Sequence, residues 1–450
     1  MISLSLDGIT LEGSVQPCHY TSALIPDTKD AELAVVNLYP RKRCQTIEGF
    51  GAALTEAAGY VLARMSAEKR QEVLDACYGP KGLGYTLGRV SIDSCDFSLG
   101  HYCAAGADDT AFADLSLARD AKYVQPLIRA AEQAAGQAVP LLLSPWSPPA
   151  AYKDTGARNG GGHLRPEAYA RYAGYLAAYL AAYRAAGFTV RALTVQNEPL
   201  AVQTWDSCQY TAAQEKAFLR DALWPALQAK GLGDVEIYIW DHNKERVYER
   251  ACEIVDDTTA KMVAGVAFHW YSGDHFDALR LTREDFPALK LMHSEGCVEL
   301  TRWGAGAGSE LEQAWQYAHD MAGDFAAGMN SWIDWNLVLD PQGGPNHVGN
   351  FCGAPVHCDP AAGTVVYKPT YAAIGQFSRY VRPGAVRIGS SCYTAALEQV
   401  AFCNPDGSVA AVLLNRGPAR QISLRMEGQT ARVPLPAQSI CTLTLRENRG

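Results

Sequence analysis

Two glutamates in matching sequence settings are the residues through which this chain could do chemistry. Glu198 follows the apolar, β-branched run Thr189–Val195 and sits within Gln196-Asn197-Glu198-Pro199. Pro199 cannot donate to a sheet ladder, so a strand must stop there and leave an amide and a carboxyl side by side at its end. Alone, Asn-Glu-Pro is more often just a strand leaving the core through polar residues. Glu295 changes that reading, because it ends the later apolar run Leu289–Glu295 in the same way. Two carboxyls brought to one rim suit displacement at an acetal carbon, one protonating the departing oxygen and the other attacking the carbon. A separation of ~5 Å would retain the configuration there, and ~6.5–9.5 Å would admit a water and invert it.

The elements that must hold these groups recur with a regular beat. The Phe50 region, Thr86–Ile92, Val139–Pro145, Val190–Asn197, Val235–Asp241, Val263–Tyr271, Leu289–Glu295 and Asn330–Asn336 read as strands, each followed by a helical segment. Strands alternating with helices predict a parallel sheet with right-handed crossovers. Eight units over roughly 330 residues favour an α/β fold of the (β/α)8 TIM-barrel type over a doubly wound sheet. The first helix is expected from about residue 55 to 77. Tyr169, Tyr172, Tyr175, Tyr179 and Tyr183 recur at helical spacing and predict a stripe packed on the barrel wall. Short strands lie at both ends of the chain: around Leu4–Ile9 and Ala34–Tyr39, then at Glu398–Cys403, Val409–Asn415, Gln421–Met426 and Ser439–Leu445. Residues 1–45 and 381–450 are therefore expected to form one β-sandwich-like side domain, and 46–380 the barrel.

A barrel gathers its strand ends at one rim. Those ends read Ser94-Cys-Asp-Phe97, Ser144-Pro-Trp146, Gln196-Asn-Glu-Pro199, Phe268-His-Trp-Tyr271, His293-Ser-Glu-Gly-Cys297 and Trp332-Ile-Asp-Trp-Asn336. Aromatic faces can carry a sugar ring and amides can hold its hydroxyls. The chemistry this points to is glycoside hydrolysis.

Composition narrows the alternatives. A formal charge of −9 disfavours nucleic acid as the partner. Thirteen cysteines without a CxxC pair argue against a disulfide framework or zinc ribbon and suit a reducing cytoplasm. The start, Met1-Ile-Ser-Leu-Ser-Leu-Asp7, lacks the features of a signal peptide, and no apolar run approaches the ~20 residues of a membrane span. Ten histidines show no tight ligand spacing, so no metal and no cofactor are expected. The oligomeric state stays open, a homo-oligomer included.

Gly49-Phe-Gly51, Ser94-Cys-Asp-Phe-Ser98, Ser144-Pro-Trp146, Asn197-Glu-Pro199, His269-Trp-Tyr271, Ser294-Glu295, Asp334-Trp-Asn336, Gly343-Gly-Pro-Asn346 and Asn350-Phe351 occur together and in this order. In this the chain resembles glycoside hydrolase family 30, the family of the lysosomal glucosylceramidases, from about Gly49 to the C-terminus. The resemblance implies a barrel with a β domain built from both termini. It implies Glu198 as acid/base, Glu295 as nucleophile, and Arg89, Asn197 and Tyr271 as catalytic neighbours. Asp96, Trp146, Trp335 and Asn350 would hold the sugar, with His269 as a hydrogen-bonding wall. Trp205, Asp206 and Tyr210, in the loop after the fourth strand, would shape the leaving-group side. The activity implied is that of a retaining exo-acting β-glycosidase on β-glucosides or short oligosaccharides, glycolipid included. A β-xylosidase, β-fucosidase or β-1,6-glucanase is the alternative, and a non-catalytic sugar-binding protein a remote one.

Overall fold

A computed structural model describes residues 2–28, 33–104, 106, 112 and 114–447, so Met1 and residues 448–450 of the two terminal segments lie outside the described residues. Eight parallel strands close into a barrel: Gly49–Ala53, Leu87–Ile92, Leu141–Pro145, Val190–Thr194, Glu236–Asn243, Gly265–His269, Lys290–Glu295 and Ser331–Asp334. They are the eight strands expected, with ends shifted by a few residues. The fourth stops at Thr194, so Gln196, Asn197 and Glu198 stand on the loop above it.

Side chains alternate between the two faces of each strand. Leu141, Leu143, Leu193, Ile237, Ile239, Val266, Phe268 and Leu291 point outward into the core shared with the helices. Leu87, Leu142, Ala192, Tyr238, Ala267, Met292 and Ile333 point inward and form a separate apolar plug. Two residues further along the same strands come Arg89, Ser144, Thr194, His269, Ser294 and Trp335, all buried. The period of the strand thus places a polar layer directly above an apolar one, at the barrel mouth.

The expected helix over 55–77 is two helices, Glu56–Ala63 and Ala67–Cys77. Ser66 makes the break, since its side chain caps the second helix by accepting from Lys69 N. The tyrosine stripe lies on helix Tyr169–Ala185 and packs on the barrel as expected. Three of its hydroxyls also find carboxylate acceptors, while that of Tyr172 is buried without one. Tyr175 donates to Asp93 Oδ1 at 2.6 Å, Tyr183 donates to Asp120 Oδ2 at 2.6 Å, and Tyr179 donates to the same carboxyl.

The chain termini share a ten-stranded sheet, in the order Ser14–Ala23, Ile2–Glu12, Ser439–Glu447, Val409–Asn415, Glu398–Cys403, Val386–Cys392, Val35–Thr46, Arg420–Met426, Gln429–Leu435, Ile25–Pro26. Val386–Cys392 and Gln429–Leu435 were not foreseen as strands. The central strands are apolar on both faces because both are covered. Val409, Ala411 and Leu413 enter the side-domain core, while Ala410, Val412 and Leu414 join the barrel's. Phe402 meets Phe325 of helix Glu310–Ala327 edge to face at 5.3 Å.

His319 on that helix also reaches the side domain. Its Nδ1 lies 2.5 Å from Glu398 Oε2, and its Nε2 3.1 Å from Asp274 Oδ2. The Glu398 bond, against a burial penalty and with help from Asp274, raises its pKa to about 9. A raised folded pKa gives stability that is complete below the unfolded value of about 6.5 and is lost as pH rises through the folded one. His319→Gln is therefore expected to flatten the decline in unfolding temperature between pH 6.5 and 9. His269, at the barrel mouth, titrates in the same window, so the slope is reduced and not abolished. An unchanged slope in stepped-pH melting curves would refute this role.

Candidate active site

Irregularities in the barrel strands aim the site's side chains. Where the fifth strand meets the sixth, Ala267 pairs with Trp240 but Phe268 pairs with His242. Asp241 is the extra residue, at φ 53, and the bulge turns its carboxyl into the barrel. Between the sixth and seventh strands, Phe268 opposes His293 but His269 opposes Glu295, which leaves Ser294 free to donate to Asp241 Oδ1 at 2.6 Å. Glu198 itself has φ 47, a left-handed conformation that costs a glutamate of order 1 kcal/mol, and its N–H is tied to Asp241 O at 2.9 Å. Strain of this kind is held in place by surrounding structure, and here it lies at the mouth.

Arg89 is the hub, fully buried. Nη1 donates to Glu295 Oε2 at 2.5 Å, Nη2 to Asn197 Oδ1 and Asp241 Oδ2 at 2.8 Å each, and Nε to Ser144 Oγ at 3.1 Å. Its guanidinium lies 4.9 Å from the centroid of Trp146 and 5.5 Å from that of Trp335. Those two rings stack at 5.3 Å. Because Arg89 occupies the Asn197 oxygen, the Asn197 NH2 is the group left to donate to a ligand. Tyr271 OH donates to the other Glu295 oxygen, Oε1, at 3.0 Å.

His269 lies between the carboxyls. Its Nε2 is 3.0 Å from Asp241 Oδ1, and its Nδ1 is 3.4 Å from Glu198 Oε1 and 3.8 Å from Glu295 Oε1. Carboxylate oxygens of Glu198 and Glu295 approach within 4.8 Å of one another. Burial opposes a charge on His269, but Glu295, Asp241 and Glu198 together lift its pKa to about 9. Asp241 is likewise buried, yet Arg89 and His269 hold it well below the usual carboxylate range. Burial pushes Glu198 up, and the His269 hydrogen bond with the nearby His242 outweighs it, leaving Glu198 below its ordinary value. Burial raises Glu295 above its ordinary value against the pull of His269 and Arg89. A proton on His269 Nδ1 would face Glu198 Oε1 across the 3.4 Å contact. Transfer along that contact would protonate Glu198 without changing the charge of the site, so carboxyls and imidazole titrate as one unit.

Glu198, Glu295, Asn197, Tyr271, Asp96, Trp146, Trp335, Asn350 and Trp205 line a single cavity. Arg89 and His269 lie directly behind it. Asp96 is walled by the loop after the eighth strand, where Asn346 and Asn350 donate to Oδ2 at 3.3 and 3.5 Å. Burial, reinforced by the charge of Glu295, raises the Asp96 pKa well above the ordinary range. Tyr210 corrects the expectation, because its ring is fully buried against Phe218 and does not line the cavity. Its place in the loop pointed to the leaving-group side, but Tyr210 N donates to Pro199 O and the chain has already turned back to the barrel wall. Asp206 is a structural ion partner of Arg158 at 2.6 Å. Gln203, Cys297, Glu299, Arg302 and Cys352 line the cavity without having been foreseen, and Asp241 supports it. The polar run Asp241-His-Asn243 at the fifth strand's end was the available signal for Asp241.

Tyr271→Phe is expected to lower kcat about ten- to a hundredfold with the fold intact, since a hydrogen bond to a charged group contributes roughly 1.5–3 kcal/mol. Steady-state kinetics alongside unfolding curves measure both halves of that statement.

Residues 47–381 match the glycosyl hydrolase family 30 TIM-barrel domain, and residues 384–443 the glycosyl hydrolase family 30 beta sandwich domain. The chain is 31% identical to the lysosomal acid glucosylceramidase of Mus musculus over 399 residues, covering 85% of this chain and 77% of that protein. It is 32% identical to putative glucosylceramidase 4 of Caenorhabditis elegans, covering 83% and 75%. Among solved structures, SrfJ from Salmonella typhimurium superimposes with a TM-score of 0.94 at 38% identity, over 99% of this chain and 100% of that one. The endo-beta1,6-glucanase BT3312 does so with 0.87 at 26%, over 99% and 100%.

Proposed function

Since the chain belongs to glycosyl hydrolase family 30, we propose that it is a retaining, exo-acting β-glycosidase acting on β-glucosides through a covalent glycosyl-enzyme intermediate. The observation that carries the mechanism is the approach of Glu198 and Glu295 oxygens within 4.8 Å, which leaves no room for a water between carboxyl and anomeric carbon. Glu295, with both oxygens hydrogen-bonded by Arg89 and Tyr271, attacks that carbon. Glu198 gives its proton to the leaving oxygen, then takes one from the water that releases the sugar. The Asn197 NH2 meets the sugar 2-hydroxyl, a contact that tightens in the transition state.

The exo reading rests on Asp96. A buried carboxyl closed off by Asn346 and Asn350 suits two hydroxyls of a terminal ring, with Trp335 and Trp146 beneath. The leaving group lies on the side of the Glu198 loop, where Gln203, Trp205, Glu299 and Arg302 line the cavity. Those polar and charged walls suit a sugar leaving group at least as well as a lipid one. They favour, as a second reading, hydrolysis of β-1,6-linked glucosyl units, the activity named for two fungal relatives and for BT3312.

The test is hydrolysis of nitrophenyl β-glucoside, β-xyloside, β-fucoside and β-galactoside together with a β-1,6-glucan, with the product anomer followed by NMR. Preference for the glucoside with a β-anomer released first, and a 2-fluoroglucoside adduct on Glu295, is the expected result. An α-anomer first would sink the retaining mechanism, and a preference for the polymer would replace the exo reading with the second one.

A further inference from the structure

His101, Asp206 and His347 meet at the rim from the loops after the second, fourth and eighth barrel strands. One potential ligand atom from each lies within 4.8 Å of the other two. His101 Nδ1 is 3.1 Å from Asp206 Oδ2, and the two imidazoles meet edge to face with centroids 4.6 Å apart. None of the three lines the catalytic cavity.

His347 has its tautomer decided for it. Its Nδ1 lies 3.0 Å from the carbonyl oxygens of both Asp96 and Ser98. Carbonyls only accept, so Nδ1 carries a hydrogen, and in the neutral ring Nε2 presents a lone pair. That Nε2 is buried and has no hydrogen-bond partner. An unpaired buried acceptor is unfavourable, and a backbone carbonyl holding the opposite N–H is the usual support of a metal-ligating histidine. Arg158 bridges Asp206 and Asp93 at 2.6 and 3.3 Å, and the Lys153 ammonium also acts on the Asp206 charge. Arg158 takes Asp206 Oδ1 and leaves Oδ2 facing His101.

We propose that His101, Asp206 and His347 form a three-ligand site for a divalent transition metal of the zinc type. Two imidazole nitrogens and one carboxylate oxygen, with a fourth position for water, match the ligand preference of such ions. The ion ties three loops of the active-site rim together. His347 N donates to the carbonyl of Asp96 at 3.3 Å, and Trp205, a wall of the cavity, directly precedes Asp206. Occupancy would thus stiffen both the sugar-gripping side and the leaving-group side while leaving the reacting carboxyls untouched. The three positions are far apart in the sequence, which is why no ligand spacing was visible there.

Calorimetric titration of Zn²⁺ into chelator-treated protein tests this, with anomalous scattering from a crystal soaked in Zn²⁺. His101 is exposed on a loop, so His101→Ala retains the fold, and His347→Gln is the second variant. The expected result is a density peak among the three side chains and binding weakened at least about a hundredfold in either variant, no less than the loss of an outer-shell partner costs. Zn²⁺ should also raise the unfolding temperature of the wild type and not of His101→Ala. No binding, binding unchanged in both variants, or a peak only at cysteines or the catalytic carboxyls would overturn the site.

Discussion

Glu295→Gln is expected to abolish turnover, by at least about 10⁴-fold, because an amide cannot form the covalent ester and a group acting within a unit loses the whole unit's effect. Glu198→Gln should behave differently. With substrates whose leaving oxygen must be protonated, the loss should be about 10²–10⁴-fold, the usual contribution of general acid–base catalysis. With a dinitrophenyl glycoside, whose departing phenolate needs no proton, the first step should survive and the second should stall for want of a base. That variant should show a burst, accumulate the adduct on Glu295, and speed up with azide, an anionic nucleophile that needs no deprotonation. If both variants lose equally with every leaving group, the division of roles between the two glutamates is wrong.

Arg89→Met should give the largest loss of stability, about 3–5 kcal/mol at neutral pH, because it leaves Asp241 and Glu295 buried without their cation. The pH dependence has a definite sign. In the wild type Arg89 and His269 hold Asp241 below its unfolded value, so its contribution is present above about pH 4 and is lost as pH falls towards the folded value. In the variant, burial dominates Asp241, which then takes up a proton readily. The gap between variant and wild type should therefore shrink as pH falls from 7 towards 4.5. Urea unfolding at the two values measures it, and a constant gap would mean that Arg89 acts through packing on Trp146 and Trp335 rather than through charge. Arg89→Lys should recover only part of the loss, since one ammonium cannot reach the four acceptors the guanidinium serves.

The barrel was legible because its signal is local. Each strand announces itself by an apolar run that ends in Pro, Gly or a polar cluster, and eight such runs with helices between them leave few topologies. Glu198 and Glu295 were legible for the same reason, as carboxyls at two of these ends. The break at Ser66 was missed because one cap residue inside an Ala-rich stretch competes with good helix formers on either side. Tyr210 was misplaced because loop membership says nothing about which way a ring turns once the chain folds back.

The sequence by itself determined the alternation of strands and helices, the joining of the two termini in one β domain, and the pair of glutamates at strand ends. Those follow from periodicity and backbone chemistry, which act over a few residues. Only the tertiary structure decided that Asp241 turns inward, that His269 lies between the two glutamates, and that His101, Asp206 and His347 converge. Each of these depends on a bulge or a loop path that places residues far apart in the chain within hydrogen-bonding range, and no local pattern encodes that distance.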